Sequence, residues 1–384
     1  MVSAPLSLPD NPIMLGLPDK FKRWRLYQNL SIPDVVESPN RFVVQVMPTG
    51  SGKSLSCIAA HKLLESRRTF VLTATKALQD QYNSDFNSLN PSLIKGMNSY
   101  SCDLHPRYTA DMAICNLGLY CHMKDNGYCT YYNSLWKAQR SPLVFTNYHY
   151  WITTNASDRE EPVFQTPDLL VLDEGHKSFD ILCSLSSVRF SFEELEELLD
   201  VNVPMMYSPD EIHEWAGTQR DKVDSMIEVY KPMVQGRTPK AEDARFKARK
   251  MTYLRDAFNT LTSMDDGWKY GRDDKGILFV PVKYIPYIAD ECLFAGAKKV
   301  MIMSATINKK MLQMLGVKNY SYLECPSEFD IQNRQVIWIP TISMKYGISE
   351  SELINRWILR IDQIIESFPG HKGIIHCGSY DRKN

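Results

Sequence analysis

The sequence lacks several features that would assign it to a class at once. No apolar run approaches the ~20 residues that span a bilayer, which excludes a transmembrane helix. Neither sign of charge is in excess: 44 Lys and Arg stand against 45 Asp and Glu, a formal net charge of −1. That excludes a protein that coats nucleic acid by bulk charge, so any such binding must come from a local groove. No C-x₂₋₄-C pair occurs, the usual mark of zinc ribbons and fingers. Internal repeats and low-complexity tracts are missing too. The N-terminal stretch MVSAPLSLPDNPIMLGLPDK has no charged segment leading into a sustained apolar core, so it does not read as a signal peptide. The expectation is a soluble, intracellular protein, with no membrane partner, in a compartment where thiols stay reduced.

What is present fits a large globular chain. Its 384 residues exceed one ordinary core, so two or more domains are expected. Short apolar runs recur at RFVVQVM (41–47), TFVLTAT (69–75), PLVFTN (142–147), DLLVLD (168–173) and KVMIMSAT (299–306), with helical stretches between them. Such runs alternating with helices predict an α/β fold built on a parallel sheet covered on both faces. Two insertions interrupt the pattern. One lies between the second and third strands; the other, about 178 to 290, reads as mainly helical. In the latter, Ser208-Pro209-Asp210-Glu211 is a capping box, followed by Ile212, Trp215, Val223, Met226, Ile227 and Tyr230 at helical spacing. A second helix is expected over 241 to 262 with Phe246, Leu254, Phe258 and Leu261 inward. A new unit is expected from about 318, with a capping box at Ser349-Glu350-Ser351-Glu352 and a strand and turn in KGIIHCGSY.

MPTGSGKS (47–54) sits between a strand and a helix. Phosphate oxygens need several backbone N–H groups pointing inward, and glycine lets the backbone approach closely. Thr49, Gly50, Ser51, Gly52, Lys53 and Ser54 are therefore read as a phosphate cradle, with Lys53 reaching the β- and γ-phosphates of ATP and Ser54 holding Mg²⁺. The pattern usually opens on glycine; here that place is Met47. In DLLVLDEGH (168–176), 120 residues beyond Lys53, a strand delivers Asp173 to the Mg²⁺ shell and Glu174 to the attacking water.

Four cysteines, Cys102, Cys115, Cys121 and Cys129, fall in 28 residues, with twelve, five and seven residues between them. The other five are scattered singly. Four separated thiolates suit an iron–sulfur cubane, one per iron. Spacing alone leaves zinc open, with His105 and His122 as further ligands.

PTGSGKS, LTATKALQDQ, DEGH and MSAT, in that order, resemble a superfamily 2 helicase motor. The four cysteines ahead of DEGH narrow the resemblance to the iron–sulfur branch typified by bacterial DinG and the repair helicase XPD. That resemblance implies a RecA-like motor domain over 1–95, 140–177 and 291–317. It also implies a [4Fe–4S] insertion over 96–139, a helical arch over 178–290 and a partial second motor domain over 318–384. It implies an ATP-dependent helicase acting on single-stranded and forked DNA, 5′→3′, with the cluster where the duplex splits. Gln28 would read the adenine edge. Ser304 and Thr306 in MSAT would couple the γ-phosphate to domain movement, with His176 in the same network. Thr75, Thr146 and Asn147 would contact strand phosphates. Ser379 and Tyr380 match the family's second motor only loosely, and the arginine finger is absent, so a fragment with weak turnover is expected. Tyr128, Tyr131, Tyr132 and Trp136 could stack on bases or simply pack a small core. The run GRTPKAEDARFKARK could guide a strand or face solvent. The rival class is a non-catalytic DNA-binding or redox-sensing module on the same fold.

Overall fold

The structure is a computed structural model that describes residues 6–117, 119–156, 162–206, 208–234 and 238–327. Beyond these it describes 336–341, 349–375 and the single positions 330 and 332. Two units emerge, Met1–Glu328 and Phe329–Asn384.

In the first unit the strands are β1 (Phe42–Val46), β2 (Thr69–Thr73), β3 (Ser92–Leu93), β4 (Leu143–Asn147), β5 (Leu169–Asp173), β6 (Val188–Ser191), β7 (Lys269–Arg272), β8 (Gly276–Val280), β9 (Lys299–Ser304) and β10 (Tyr320–Glu324). Seven of them form one sheet in the order β10-β1-β9-β5-β2-β4-β3, and every pairing in it is parallel. Successive residues alternate between two apolar layers. Val44, Phe70, Leu72, Leu170 and Ile302 enter one core, and Val43, Val71, Phe145, Val171 and Met301 enter the other. Burying each such side chain contributes ~1.5–3 kcal/mol, so the sheet is the stable frame and its strand ends are fixed points. Because the strands are parallel, all their C-terminal ends open on one edge, where ligands of such sheets bind. No described helix is long and apolar enough to cross a membrane.

The three helices that matter most here are α1 (Gln28–Glu37), α2 (Lys53–Leu63) and α3 (Lys76–Asp85). Within α2, His61 is buried, and its Nδ1 lies 2.8 Å from Thr69 Oγ1 of β2. Burial, with Lys62 nearby, lowers the pKa of His61 to about 4 from 6.5. The unfolded chain therefore binds an extra proton between those values. Stability is full above pH ~6.5 and is lost as pH falls toward 4, by up to about 3 kcal/mol. Urea unfolding at pH 7.5 and pH 5 should show this slope in the native chain, and a reduced slope in His61→Gln.

The helix Ser178–Ser186 still packs on the main core through Leu182, so the insertion begins later than the expected 178; from Val188 the chain builds its own core around Phe190, Ile212, Trp215, Val223, Leu254, Phe258 and Leu261. The helices Pro209–Tyr230 and Pro239–Leu261 carry it, and Ser208 caps the first by accepting from the Glu211 amide. The insertion departs from the sequence reading in further respects. The insertion also contains an antiparallel sheet, β6-β8-β7. Phe246 lies half outside, 49% exposed. The insertion closes earlier than 290, because Ile285, Ala289 and Leu293 already pack in the main core. The expected unit boundary at 318 also moves, because β10 pairs with β1 in register from Phe42↔Tyr320 to Val46↔Glu324 and completes the first unit's sheet.

In the second unit Ser349 caps the helix Glu350–Ser367 as its capping box predicts. Residues 371–375 form no strand, and the rest of KGIIHCGSY, with Ser379 and Tyr380, lies outside the described residues.

Candidate nucleotide site, thiol pocket and groove

β1 ends at Val46, and α2 begins at Lys53. The loop between them turns at Gly50 (φ 85°) and Gly52 (φ 88°), backbone conformations that suit glycine. Met47, at the place glycine usually holds, is fully buried, and its amide bonds Ser304 O of β9 at 2.9 Å. The loop is thus tied to the sheet at its first residue. Lys53 Nζ lies 3.2 Å from Met47 O and 3.4 Å from Pro48 O, so the amine is folded over the loop's own carbonyls. Thr49 and Gly50 are exposed at the tip, Ser51 is buried with its hydroxyl on Pro48 O, and Ser54 is half-buried in the first turn of α2.

The acidic pair arrives from β5. In the sheet order only β9 separates β5 from β1, so Asp173 and Lys53 stand at the same edge. Asp173 is 6% exposed. Burial raises its pKa, while the hydroxyl of Tyr82 and the charge of Lys53 act the other way. Both carboxylate oxygens are held: Tyr82 donates to Oδ2 at 3.0 Å and the Glu174 amide to Oδ1 at 3.0 Å. Glu174 itself sits at φ 51°, in the left-handed region that non-glycine residues seldom occupy. Gly175 follows because a Cβ there would meet Ile302 Cγ2 at 2.5 Å. This turn swings His176 back over β9. His176 Nδ1 lies 2.8 Å from Ser304 Oγ and 3.4 Å from Glu174 Oε2. Ser304 Oγ also accepts from the Thr306 amide at 3.0 Å. The predicted Glu174, His176, Ser304 and Thr306 therefore form one connected chain of polar groups beside Asp173.

Gln28 differs from expectation. Its side chain is fully buried, Nε2 donating to Gly52 O at 2.9 Å and Oε1 accepting from the Arg25 amide at 2.8 Å. In this structure it braces the phosphate loop from behind and does not present its amide to a base. A Cβ on Gly52 would stand 2.4 Å from Gln28 Nε2, so glycine is required by this close approach as well as by φ.

The four clustered cysteines line one pocket, together with Met97, Asp103, Leu104, Met123, Tyr131 and Tyr132 among others. Each reaches it from a different local element. Cys102 follows the bridge Ser101↔Thr109, and Cys115 lies in the turn Ile114–Leu117. Cys121 and Cys129 precede the helices His122–Asp125 and Thr130–Arg140. Asp103 fastens the first loop to the last helix by accepting from the Thr130 amide at 2.7 Å and its hydroxyl at 2.9 Å. The Cys115 pKa is raised to about 11, by burial first and then by the neighbouring Cys121, Cys102 and Cys129. At Cys129 burial also raises the pKa, opposed by the backbone amides of Tyr132 and Tyr131 at the helix start. The donor chemistry suits a thiolate-held metal group, although the pocket is tight, about 10 Å³, so the side chains closing it would have to give way. Among the described residues no three His, Cys, Asp or Glu side chains are grouped to grip a single ion. His105 and His122 do not line the pocket.

A groove of about 700 Å³ runs past this insertion. Ala74, Lys76 and Asn147 at the sheet edge, Asn98 and Asp111 of the first insertion and Arg249 of the second all line it. Arg249 reaches Asp111 at 2.6 Å, so the two insertions meet there. Of the expected phosphate contacts, Thr75 is exposed at the cap of α3. Thr146 and Asn147 are buried, committed to Ile94 O and to Gln79 and the Tyr150 amide. Tyr131 is core, packed on Tyr100 and Tyr132, whereas Tyr128 is 68% exposed.

A family model described as the res subunit of type III restriction enzymes matches residues 21–202. No curated protein matches the sequence. A solved XPD helicase structure aligns with 91% of this chain and 71% of its own, at 16% identity and a TM-score of 0.55. The fold is that of an XPD-type helicase. A truncated XPD aligns with 79% of this chain and 99% of its own, at 16% identity and a TM-score of 0.48.

Within this XPD-type fold, two residues of the nucleotide edge escaped the sequence reading. Tyr82 lies in α3, and Tyr148 donates its hydroxyl to Asp173 O at 2.9 Å. Only the register of α3 in LTATKALQDQY could have signalled the first. Nothing local signals the second, whose contact spans 25 residues. A separate cavity of about 350 Å³, lined by Glu65, Arg67, Asp168, Lys298 and Lys299, contains none of the predicted site residues.

Proposed function

We propose that the protein is an ATP-dependent DNA helicase motor that moves along a single strand, 5′→3′, and acts on forked DNA. The observation that carries this reading is one sheet edge bearing a phosphate loop, a held aspartate, a glutamate in a strained turn and a serine–histidine link. In this reading Lys53 leaves its two loop carbonyls for the β- and γ-phosphate oxygens of ATP. The amides at the start of α2 take the remaining phosphate charge. Ser54 and Asp173 would hold Mg²⁺, which neutralises charge on the phosphates. Glu174 orients water and accepts its proton. His176 and Ser304 then sense whether the γ-phosphate is present, because they touch Glu174 on one side and the end of β9 on the other. Thr306 extends that link. Adenine recognition by Gln28 would require it to leave the contacts it makes here.

The domain assignment follows the same reading. The sheet is the first motor domain, residues 96–139 the iron–sulfur insertion, the helical insertion from 188 the arch, and the unit beyond 328 the start of a second motor domain. Cys102, Cys115, Cys121 and Cys129 would hold a [4Fe–4S] cluster, which would supply a rigid staple to a small polar insertion. The 700 Å³ groove, floored by the sheet edge and walled by both insertions, is the proposed strand path. Lys76, Thr75 and Arg249 would meet phosphates there without reading sequence.

The test is strand separation on a forked duplex with a 5′ tail, measured on the full-length protein, since weak turnover is expected of residues 1–384 alone. ATP should drive separation, a non-hydrolysable analogue should not, and Glu174→Gln should bind ATP while separating strands at least ~100-fold more slowly. Strand binding without ATP turnover would favour the DNA-binding or redox-sensing module instead.

A further inference from the structure

Tyr82 is buried, 3% exposed, in the aromatic layer beneath the nucleotide edge, with Phe145 and Phe86 at ring-centroid distances of 5.4 and 6.0 Å. A tyrosine in such a layer could be a phenylalanine unless its hydroxyl has a task. The hydroxyl here has a specific partner: it donates to Asp173 Oδ2 at 3.0 Å, and Cys57 Sγ lies 3.8 Å away on its other side. With the Glu174 amide on Oδ1, it sets the plane of the carboxylate.

The helix that carries Tyr82 also reaches the groove. Lys76, its first residue, lines the groove, and Thr75 caps it by accepting from the Leu78 amide. Gln79, fully buried, donates to Ile94 O and accepts from Asn147 Nδ2, itself a groove-lining residue. From Lys76 to Tyr82 the helix rises ~9 Å. A short rigid element thus has one end at the strand path and holds a metal-binding carboxylate near the other.

We propose that Tyr82 is a positioning residue that ties the orientation of Asp173 to occupancy of the groove, so that a bound strand sharpens Mg²⁺ capture at the nucleotide site. This rests on the reading of Asp173 as an Mg²⁺ ligand and of the groove as a strand path. A strand phosphate drawn to Lys76 and the start of α3 would seat the helix, and the hydroxyl would carry that seating to Oδ2. Tyr82→Phe keeps the ring and its packing and removes only the link.

The experiment titrates Mg²⁺ into the protein with a fluorescent ADP analogue, with and without a single-stranded oligothymidine. In Tyr82→Phe the Mg²⁺ half-saturation should rise about tenfold, the scale of one hydrogen bond to a charged group, while nucleotide affinity in EDTA should change less than ~2-fold. The oligothymidine should lower the half-saturation of the native protein at least ~3-fold and leave that of Tyr82→Phe unmoved. Asp173→Asn is the control. If it shifts the Mg²⁺ titration and Tyr82→Phe does not, the inference about Tyr82 falls and the site reading stands. If Asp173→Asn also shifts nothing, the site reading itself has failed. If the strand shifts the native protein and Tyr82→Phe equally, the link between groove and carboxylate is overturned.

Discussion

Lys53→Ala is expected to lower ATP hydrolysis by about 10²–10³ while leaving the fold intact, the scale of removing one preorganised charge from a site where charge develops. The side chain is half-buried at the first turn of α2, and among the described residues its amine hydrogen-bonds the loop carbonyls of Met47 and Pro48, at 3.2 and 3.4 Å. Neither contact supports the core, so the thermal midpoint should move by no more than ~2 °C. Nucleotide binding should weaken in parallel, because the lysine is the one cation of MPTGSGKS. Lys53→Arg keeps the charge, but a bulkier planar guanidinium fork does not replace a compact ammonium between the β- and γ-phosphate oxygens. It should therefore resemble the alanine variant. A Lys53→Ala protein that hydrolyses ATP like the native one would remove the phosphate loop from the account.

Cys121→Ser carries the second large effect. Cys121 is 6% exposed on the pocket it shares with Cys102, Cys115 and Cys129, and ahead of Cys121 the insertion carries only short 3₁₀ segments and no α-helix among its described residues. If a cluster is its staple, one missing thiolate should cost both the metal and the fold of the insertion. Iron and acid-labile sulfide should drop to about a fifth of the native content or less, and the broad absorption near ~400 nm should fade. Limited proteolysis should then cut within 96–139 ahead of the sheet. Cys183→Ser, outside the pocket, should keep its iron. Native protein that carries zinc in place of iron would overturn the cluster assignment and leave the nucleotide site untouched.

The parts legible in the sequence were those written locally. The five apolar runs became β1, β2, β4, β5 and β9, because a strand buried on both faces must be apolar throughout. Three of the strands that escaped are edge strands. β3 is two residues long, β10 reads YSYLE at the sheet margin, and β7, KYGR, is exposed throughout. None of these three has a hydrophobic signature, and each exists because a neighbour offers hydrogen bonds; β8, GILFV, is apolar and central to its sheet but lies in the insertion that reads as mainly helical. Missing β10 is what placed the unit boundary too early.

The same division runs through the site. Lys53, Asp173 and Glu174 could be found because loop chemistry and strand ends are short-range features. The roles of polar residues nearby could not. Gln28 supports Gly52 across 24 residues, and Tyr82 meets Asp173 across 91. Thr146 and Asn147 looked like surface donors at a strand end, yet their partners come from segments at 94 and 79 that bury them. The four cysteines were recognisable as a set by density alone, but that all four would wall one pocket was fixed only by the fold of 96–139.

The most direct measurement of the central claim is the ATP hydrolysis rate of the full-length protein with and without single-stranded DNA, side by side. A motor built on this sheet edge should hydrolyse at least ~10-fold faster with the strand present, because the groove and the acidic pair share one frame. A rate that is measurable yet indifferent to the strand, or no hydrolysis at all by protein that binds both ATP and DNA, would contradict the account.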